Sequence, residues 1–187
     1  MAYDRDSFLA GIAVGRNMQS WPEMQGIGGN FFAFTIRTAT ASFTYQFGIS
    51  FAGTVYWGDG SSEEYAYNVF RDRISHVYAD AGVYQVLIIG NFQSIQLGST
   101  SGTTPPTPVS SAIRLISIDT PFPQLFRRDG TPIQSVSLNN CFNNCQRLAR
   151  IPKNLFANYK SANMVITGLY GMFNLCTDLV EIPEKQF

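Results

Sequence analysis

The feature that most constrains this chain is a repeat near its C-terminus. The segment Cys141-Phe142-Asn143-Asn144-Cys145-Gln146-Arg147-Leu148-Ala149-Arg150-Ile151-Pro152-Lys153-Asn154-Leu155-Phe156 returns 31 positions later as Met172-Phe173-Asn174-Leu175-Cys176-Thr177-Asp178-Leu179-Val180-Glu181-Ile182-Pro183-Glu184-Lys185-Gln186-Phe187. Phe, Asn, Cys, Leu, Ile, Pro and Phe recur at matching positions. A degenerate earlier copy ends in Pro121-Phe122-Pro123-Gln124-Leu125-Phe126, placing Phe126 30 residues before Phe156. A unit of this length with recurring apolar positions cannot bury its own face, so successive units must stack into a solenoid.

Upstream the pattern has period two. Phe43, Tyr45, Phe47 and Ile49 alternate with Thr44, Gln46 and Gly48, which predicts a strand with one buried face. Val83 to Ile89 is apolar at nearly every position and is expected to be a central strand. Shorter strands are expected at Thr54–Trp57, Glu64–Phe70 and Ser75–Tyr78, separated by turn residues as in a β-sandwich. Between the two patterns, residues 98–110 carry Pro105, Pro106 and Pro108 among Ser, Thr and Gly, and are expected to form a loop between domains. The expected order is therefore an N-terminal helix and linker over 1–29, a sandwich over 30–97, the loop, and a repeat unit over 111–187.

Composition narrows the function classes. The 187 residues have a formal net charge of zero and only 14% are charged, so no overall field draws the protein to nucleic acid or an anionic membrane. Fifteen Phe and nine Tyr supply large buried areas and favour strands. The three cysteines, Cys141, Cys145 and Cys176, are an odd number, which is not a disulfide framework, and read as buried thiols. With one histidine in the chain, a zinc site would need all three thiols and a distant fourth ligand, so no metal or cofactor is expected.

Residues 4–20 read as a helix capped by Asp6 or Ser7, with Phe8 and Ile12 on one face and Trp21-Pro22 ending it. Gly11 and Gly15 make a flat stripe suited either to folding back on the domain or to docking on another subunit. The apolar run Phe8–Val14 is too short to span a bilayer and lacks the flanks of a secretory signal, so neither export nor membrane insertion is expected.

The segments Val55-Tyr56-Trp57-Gly58-Asp59-Gly60, His76-Val77-Tyr78 and Ala81-Gly82-Val83-Tyr84-Gln85-Val86 resemble the polycystic-kidney-disease (PKD) type of Ig-like domain in order and spacing. Gly58 and Gly60 allow a tight turn, and Asp59 can bond to its backbone. The resemblance implies a structural His76, hydrogen-bonded beside Asp59 or Trp57, rather than a catalytic base. Asp59 is a weak calcium candidate, since its nearest acids, Glu63 and Glu64, fall on the next strand.

The repeat is similar to the leucine-rich repeats of bacterial surface proteins. That implies Cys145 and Cys176 as equivalent interior residues of successive coils, with Cys141 in the slot of Met172. The opening, Tyr3 to Arg16, resembles structural proteins of phages and prophages of gut bacteria, which need no export signal.

The expectation is thus a mainly β chain, an Ig-like (PKD) sandwich followed by a short leucine-rich-repeat solenoid, with a short N-terminal helix. The expected function is a non-enzymatic phage virion protein, a capsid-decorating or tail-associated adhesin whose N-terminal segment contacts other virion proteins. The alternative is a bacterial cell-surface adhesin fragment that binds glycan or protein; either could be a homo-oligomer. No nucleophile with an adjacent base, acid pair or phosphate-cradling loop is visible, so no catalytic residue is named. Binding candidates are the aromatics Tyr65, Tyr67 and Phe70, and a basic set of Arg127, Arg128, Arg147, Arg150, Lys153 and Lys160.

Overall fold

The computed structural model describes residues 30–66, 74–99 and 109–183. The expected N-terminal helix, Tyr67, Phe70, most of the Pro-rich loop and Phe187 lie outside the described residues. The rest is mainly β, dominated by one antiparallel sheet.

Strand β1 (Phe31–Thr38) buries Phe32, Phe34 and Ile36. Strand β2 (Phe43–Tyr56) buries Tyr45, Phe47 and Ile49, the alternation read from the sequence. It also runs without a break into the segment expected as a separate strand at Thr54–Trp57. A long strand can do this because different parts of it find different partners. Residues 43–47 pair with β4 (Ile74–Tyr78), 48–56 with β5 (Gly82–Gln96), and 53–56 with β3 (Ser62–Tyr65). The β2–β5 register shifts between Ser50 and Phe51, and beyond that shift Gly53 faces Gly90. A Cβ on Gly53 would overlap the Ile89 carbonyl and one on Gly90 the Ala52 carbonyl, so close backbone approach requires glycine at both. Strand β5 lies between β2 and β1, the central position expected for Val83–Ile89.

After the short helix α1 (Val109–Ala112) the chain enters β6 (Leu115–Ile118), the outermost strand beside β1 in the same sheet. The register places Phe34 against Ile118 and Thr35 against Ser117. Asp119 ties this edge down: its carboxylate accepts from Thr35 Oγ1 (2.6 Å), Gln85 Nε2 (3.0 Å) and Ser117 Oγ (2.6 Å). Ala33 N–H donates to Thr120 Oγ1 at 2.9 Å, in full burial.

The other side of β6 carries coils. Three passes of the chain stack here: coil 1 (115–126), coil 2 (135–156) and coil 3 (165–183). Coil 2 contains β7 (Ser135–Ser137) and coil 3 contains β8 (Val165–Gly168), paired in parallel, with helix α2 (Ala157–Ser161) between them. Coil 1 meets coil 2 through Ile118 N–H to Arg150 O (3.0 Å) and Ala149 N–H to Ile116 O (3.0 Å). Strand β6 therefore hydrogen-bonds to the sheet along one edge and to the coils along the other.

Coils 2 and 3 keep the 31-residue period in three dimensions. Asn174 Nδ2 donates to Asn143 Oδ1 at 2.9 Å and Tyr170 N–H to Asn139 Oδ1 at 2.8 Å. Positive φ also recurs, at Asn140 and Gly171 and again at Asn144 and Leu175. The 30-residue register expected for the weakest copy does not hold. Phe126 N–H donates to Phe92 O in the sheet, while Phe122 N–H donates to Leu155 O and its ring lies 5.8 Å from Phe156. Phe126 turns back toward β5, so Phe122 occupies the stacking position.

A column of phenylalanines crosses from sheet to coils. Phe32 and Phe122 are 5.9 Å apart, Phe122 and Phe142 5.7 Å, and Phe142 and Phe173 5.5 Å, all stacked. Each fully buried ring contributes roughly 1.5–3 kcal/mol of transfer free energy, so the column is a large part of what joins the two halves. A second seam lies at the end of β5, where Leu97 and Gly98 N–H both donate to Cys141 O and Ser99 N–H to Asn143 O. The expected boundary at 98–110 thus falls between elements that share one sheet and one continuous core.

Candidate functional site

Three places concentrate chemistry. The first is the β2–β3 hairpin. Gly58 and Gly60 take φ of 83° and 99°, and a Cβ on Gly58 would also meet the Gln85 backbone. The turn closes by Trp57 N–H to Ser61 O, leaving Asp59 at the tip. One Asp59 oxygen accepts from Ser61 N–H (3.0 Å) and Ser61 Oγ (2.6 Å), and the other from His76 Nε2 (2.7 Å). The His76 ring stacks on buried Trp57 at 4.7 Å and meets Tyr78 edge-on at 4.7 Å, while Tyr78 OH donates to Trp57 O.

A serine, a histidine and an aspartate together invite comparison with a hydrolase triad, but the atoms are arranged otherwise. Asp59 and Ser61 both approach the same imidazole nitrogen, Ser61 at 3.4 Å, and the hydroxyl donates to the carboxylate. A triad needs the nucleophile and the orienting carboxylate on opposite nitrogens; here Asp59 takes the nitrogen a serine would use, and Glu63, the carboxylate facing Nδ1, stands at 3.8 Å, beyond hydrogen-bond reach. Desolvation pushes the Asp59 pKa up, but hydrogen bonds from Ser61 and His76 outweigh it and hold the carboxyl below its ordinary value. Here His76 latches the hairpin. Among the described residues no group of three or more His, Cys, Asp or Glu could hold a metal ion.

The thiols form the second place. Cys141 and Cys145 are fully buried and Cys176 half-buried, all unbridged. Burial pushes Cys141 up to about 12 and Cys176 to about 11, and Cys145 well above its usual value. Cys141, Cys145 and Cys176 donate to the carbonyls of Ile95, Leu97 and Phe142, so they pack seams rather than present nucleophiles.

The third is a groove of about 480 Å³ where β1, β6 and coils 2 and 3 meet. It gathers Arg147 and Arg150, two of the six basic residues singled out in the sequence, with Arg37 of β1. Arg127 and Arg128 sit instead on an exposed turn, and Lys153 and Lys160 are exposed elsewhere on coil 2 and α2. Arg37 was invisible as a candidate, because only folding brings it beside residues 110 positions away. Tyr65 is half-buried, with its ring 5.6 Å from Phe51 and its hydroxyl on Glu63, which makes it part of the sheet's packing.

Coil 3 exposes apolar side chains among polar ones. Tyr170, Leu175, Val180 and Ile182 are exposed there, beside a cavity of about 420 Å³ lined by Leu155, Phe156, Met172 and Ile182. No helix among the described residues is long and apolar enough to cross a membrane. Comparison of the chain with protein-family models, with curated proteins and with solved structures finds no match.

Proposed function

We propose that this chain is a non-enzymatic binding module of a phage virion, a capsid-decorating or tail-associated protein that presents its coils to the host or its surroundings. In this reading the first unit is a PKD-type Ig-like sandwich and the second a short leucine-rich-repeat solenoid. The observation that carries it is β6, bonded to the sheet on one edge and to coil 2 on the other. A strand used twice in this way makes the coils a rigid extension of the sheet, the property a presenting scaffold needs. The hairpin supports the fold assignment, since His76 bonds Asp59 and covers Trp57 as a structural histidine of that family would. The 31-residue stacking of Asn143 on Asn174 and of Phe142 on Phe173 supports the repeat assignment.

Mass spectrometry of purified particles from the organism that encodes the chain tests this. The reading expects the chain at a fixed copy number per particle and capsid or tail genes beside its own. Its absence from particles, with a longer precursor bearing an export signal and a wall or lipid anchor, would overturn it in favour of a bacterial surface adhesin.

A further inference from the structure

We infer that the groove between β1, β6 and coils 2 and 3 is an oxyanion site that takes the carboxylate or sulfate group of an acidic sugar. The inference deepens the binding-module reading and rests on it for the ligand being a glycan.

The groove is built from separated parts of the chain held in fixed relation. Arg37 N–H donates to Arg114 O at 2.8 Å, which anchors the end of β1 beside β6. Arg147 and Arg150 flank Leu148, which is fully buried, and the backbone of this stretch is locked to β6 at Ala149 N–H and Arg150 O. The three guanidinium-bearing backbones are therefore placed before any ligand arrives. Binding then costs the ordering of three side chains and not of the backbone that carries them.

The charge of the groove is unbalanced. Three arginines face one carboxylate, Asp178, leaving an excess of two positive charges in a chain whose formal net charge is zero. Among the described residues no carboxylate lies within ion-pair distance of Arg37, Arg147 or Arg150; the ion pairs there belong to His76. Guanidinium is always charged and presents a planar fork of N–H donors that matches the paired oxygens of carboxylate, sulfate and phosphate. Such a cluster in a concavity attracts an anion more strongly than the same charges spread on a convex surface.

The neutral groups choose among anions. Thr177 Oγ1 donates to Gln146 O and Gln146 Nε2 to Asn144 Oδ1. The Thr177 proton and one of the two Gln146 amide protons are used internally, while the hydroxyl oxygen and the side-chain amide oxygen can accept beside the arginines. Acceptors flanking a cationic centre suit a ligand with hydroxyl groups next to its negative charge, as in a uronic acid or a sulfated sugar.

Calorimetric titration of the full chain with glucuronate, inorganic sulfate and glucose tests the site. Glucuronate should bind, weaken as sodium chloride rises, and lose at least about tenfold in affinity in Arg147→Gln/Arg150→Gln, and again in Arg37→Gln. Asp178→Asn should tighten it. These positions are exposed, and an unchanged circular dichroism spectrum would show that the variants stay folded. Sulfate binding as tightly as glucuronate would support the oxyanion site with the free ion as ligand. Glucose binding equally well, or glucuronate affinity unmoved by the arginine substitutions, would overturn the inference. Particle association is read separately, so failure here leaves the virion reading standing and the reverse also holds.

Discussion

Phe142 and Phe173, 31 residues apart in the chain, stack ring on ring at 5.5 Å and 18°. The same column continues through Phe122, nearly parallel to Phe142 at 4°, and ends on Phe32 in the sheet. Phe142 thus sits midway along the contact that makes one body of sheet and coils. Removing its ring leaves a cavity that rigid neighbours on both sides cannot fill. Phe142→Ala should cost about 3–5 kcal/mol in urea unfolding, more than truncation of any exposed coil residue such as Val180.

Leu175 holds a φ of 60°, the left-handed conformation that its counterpart Asn144 adopts at 64° one coil earlier. A leucine there is strained by roughly 1–2 kcal/mol, whereas asparagine tolerates the region. Leu175 is also 54% exposed, so little burial is lost on replacing it. Leu175→Asn should raise stability by about 0.5–1 kcal/mol, seen as a higher Tm. A lower Tm would mean that Leu175 packs against something that outweighs its strain.

The Asp59 latch sets an acid dependence. Burial opposes its ionisation, but the bonds from Ser61 and His76 prevail and the folded pKa lies below the unfolded value. A depressed carboxylate contributes stability that is fully present above the unfolded pKa, about 4, and is lost as pH falls through the lower folded value. Tm measured from pH 6 to pH 2 should therefore fall less steeply below about pH 4 in Asp59→Asn than in the unsubstituted chain. Parallel slopes would show that the latch contributes nothing there.

Thiol reactivity follows burial. Cys141 and Cys145 are sealed and raised furthest by desolvation, while Cys176 keeps partial exposure. In the native protein at pH 8 a disulfide reagent should modify Cys176 first and slowly, with Cys141 and Cys145 reacting only after denaturant is added. Rapid labelling of Cys145 would contradict its place in the core.

Much of this was readable in the chain because the signals are local or strictly periodic. Tyr45, Phe47 and Ile49 alternate because one face of β2 is buried, and the WGDG turn is written in its two glycines. The 31-residue period was visible because stacking forces equivalent side chains into equivalent slots. Features fixed by remote pairing were not visible. Leu115–Ile118 is too short to show a period, so nothing local says that it joins β1. Thr35 and Asp119 meet across 84 positions, and Arg37 lines the same groove as Arg147 because β1 pairs with β6. The weakest repeat copy misled because Phe122 and Phe126 both fit the pattern, and only the three-dimensional contact with Phe156 separates them.

The account stands on the shared strand β6, and one unfolding experiment addresses it. In a single urea titration of Trp21→Phe, whose one remaining tryptophan is Trp57, fluorescence reports the sheet and the accessibility of Cys145 reports the coils. If sheet and coils share one core, the two signals should change together, with one midpoint and one slope. Two separated midpoints, the thiol exposed while the tryptophan signal stays native, would contradict it.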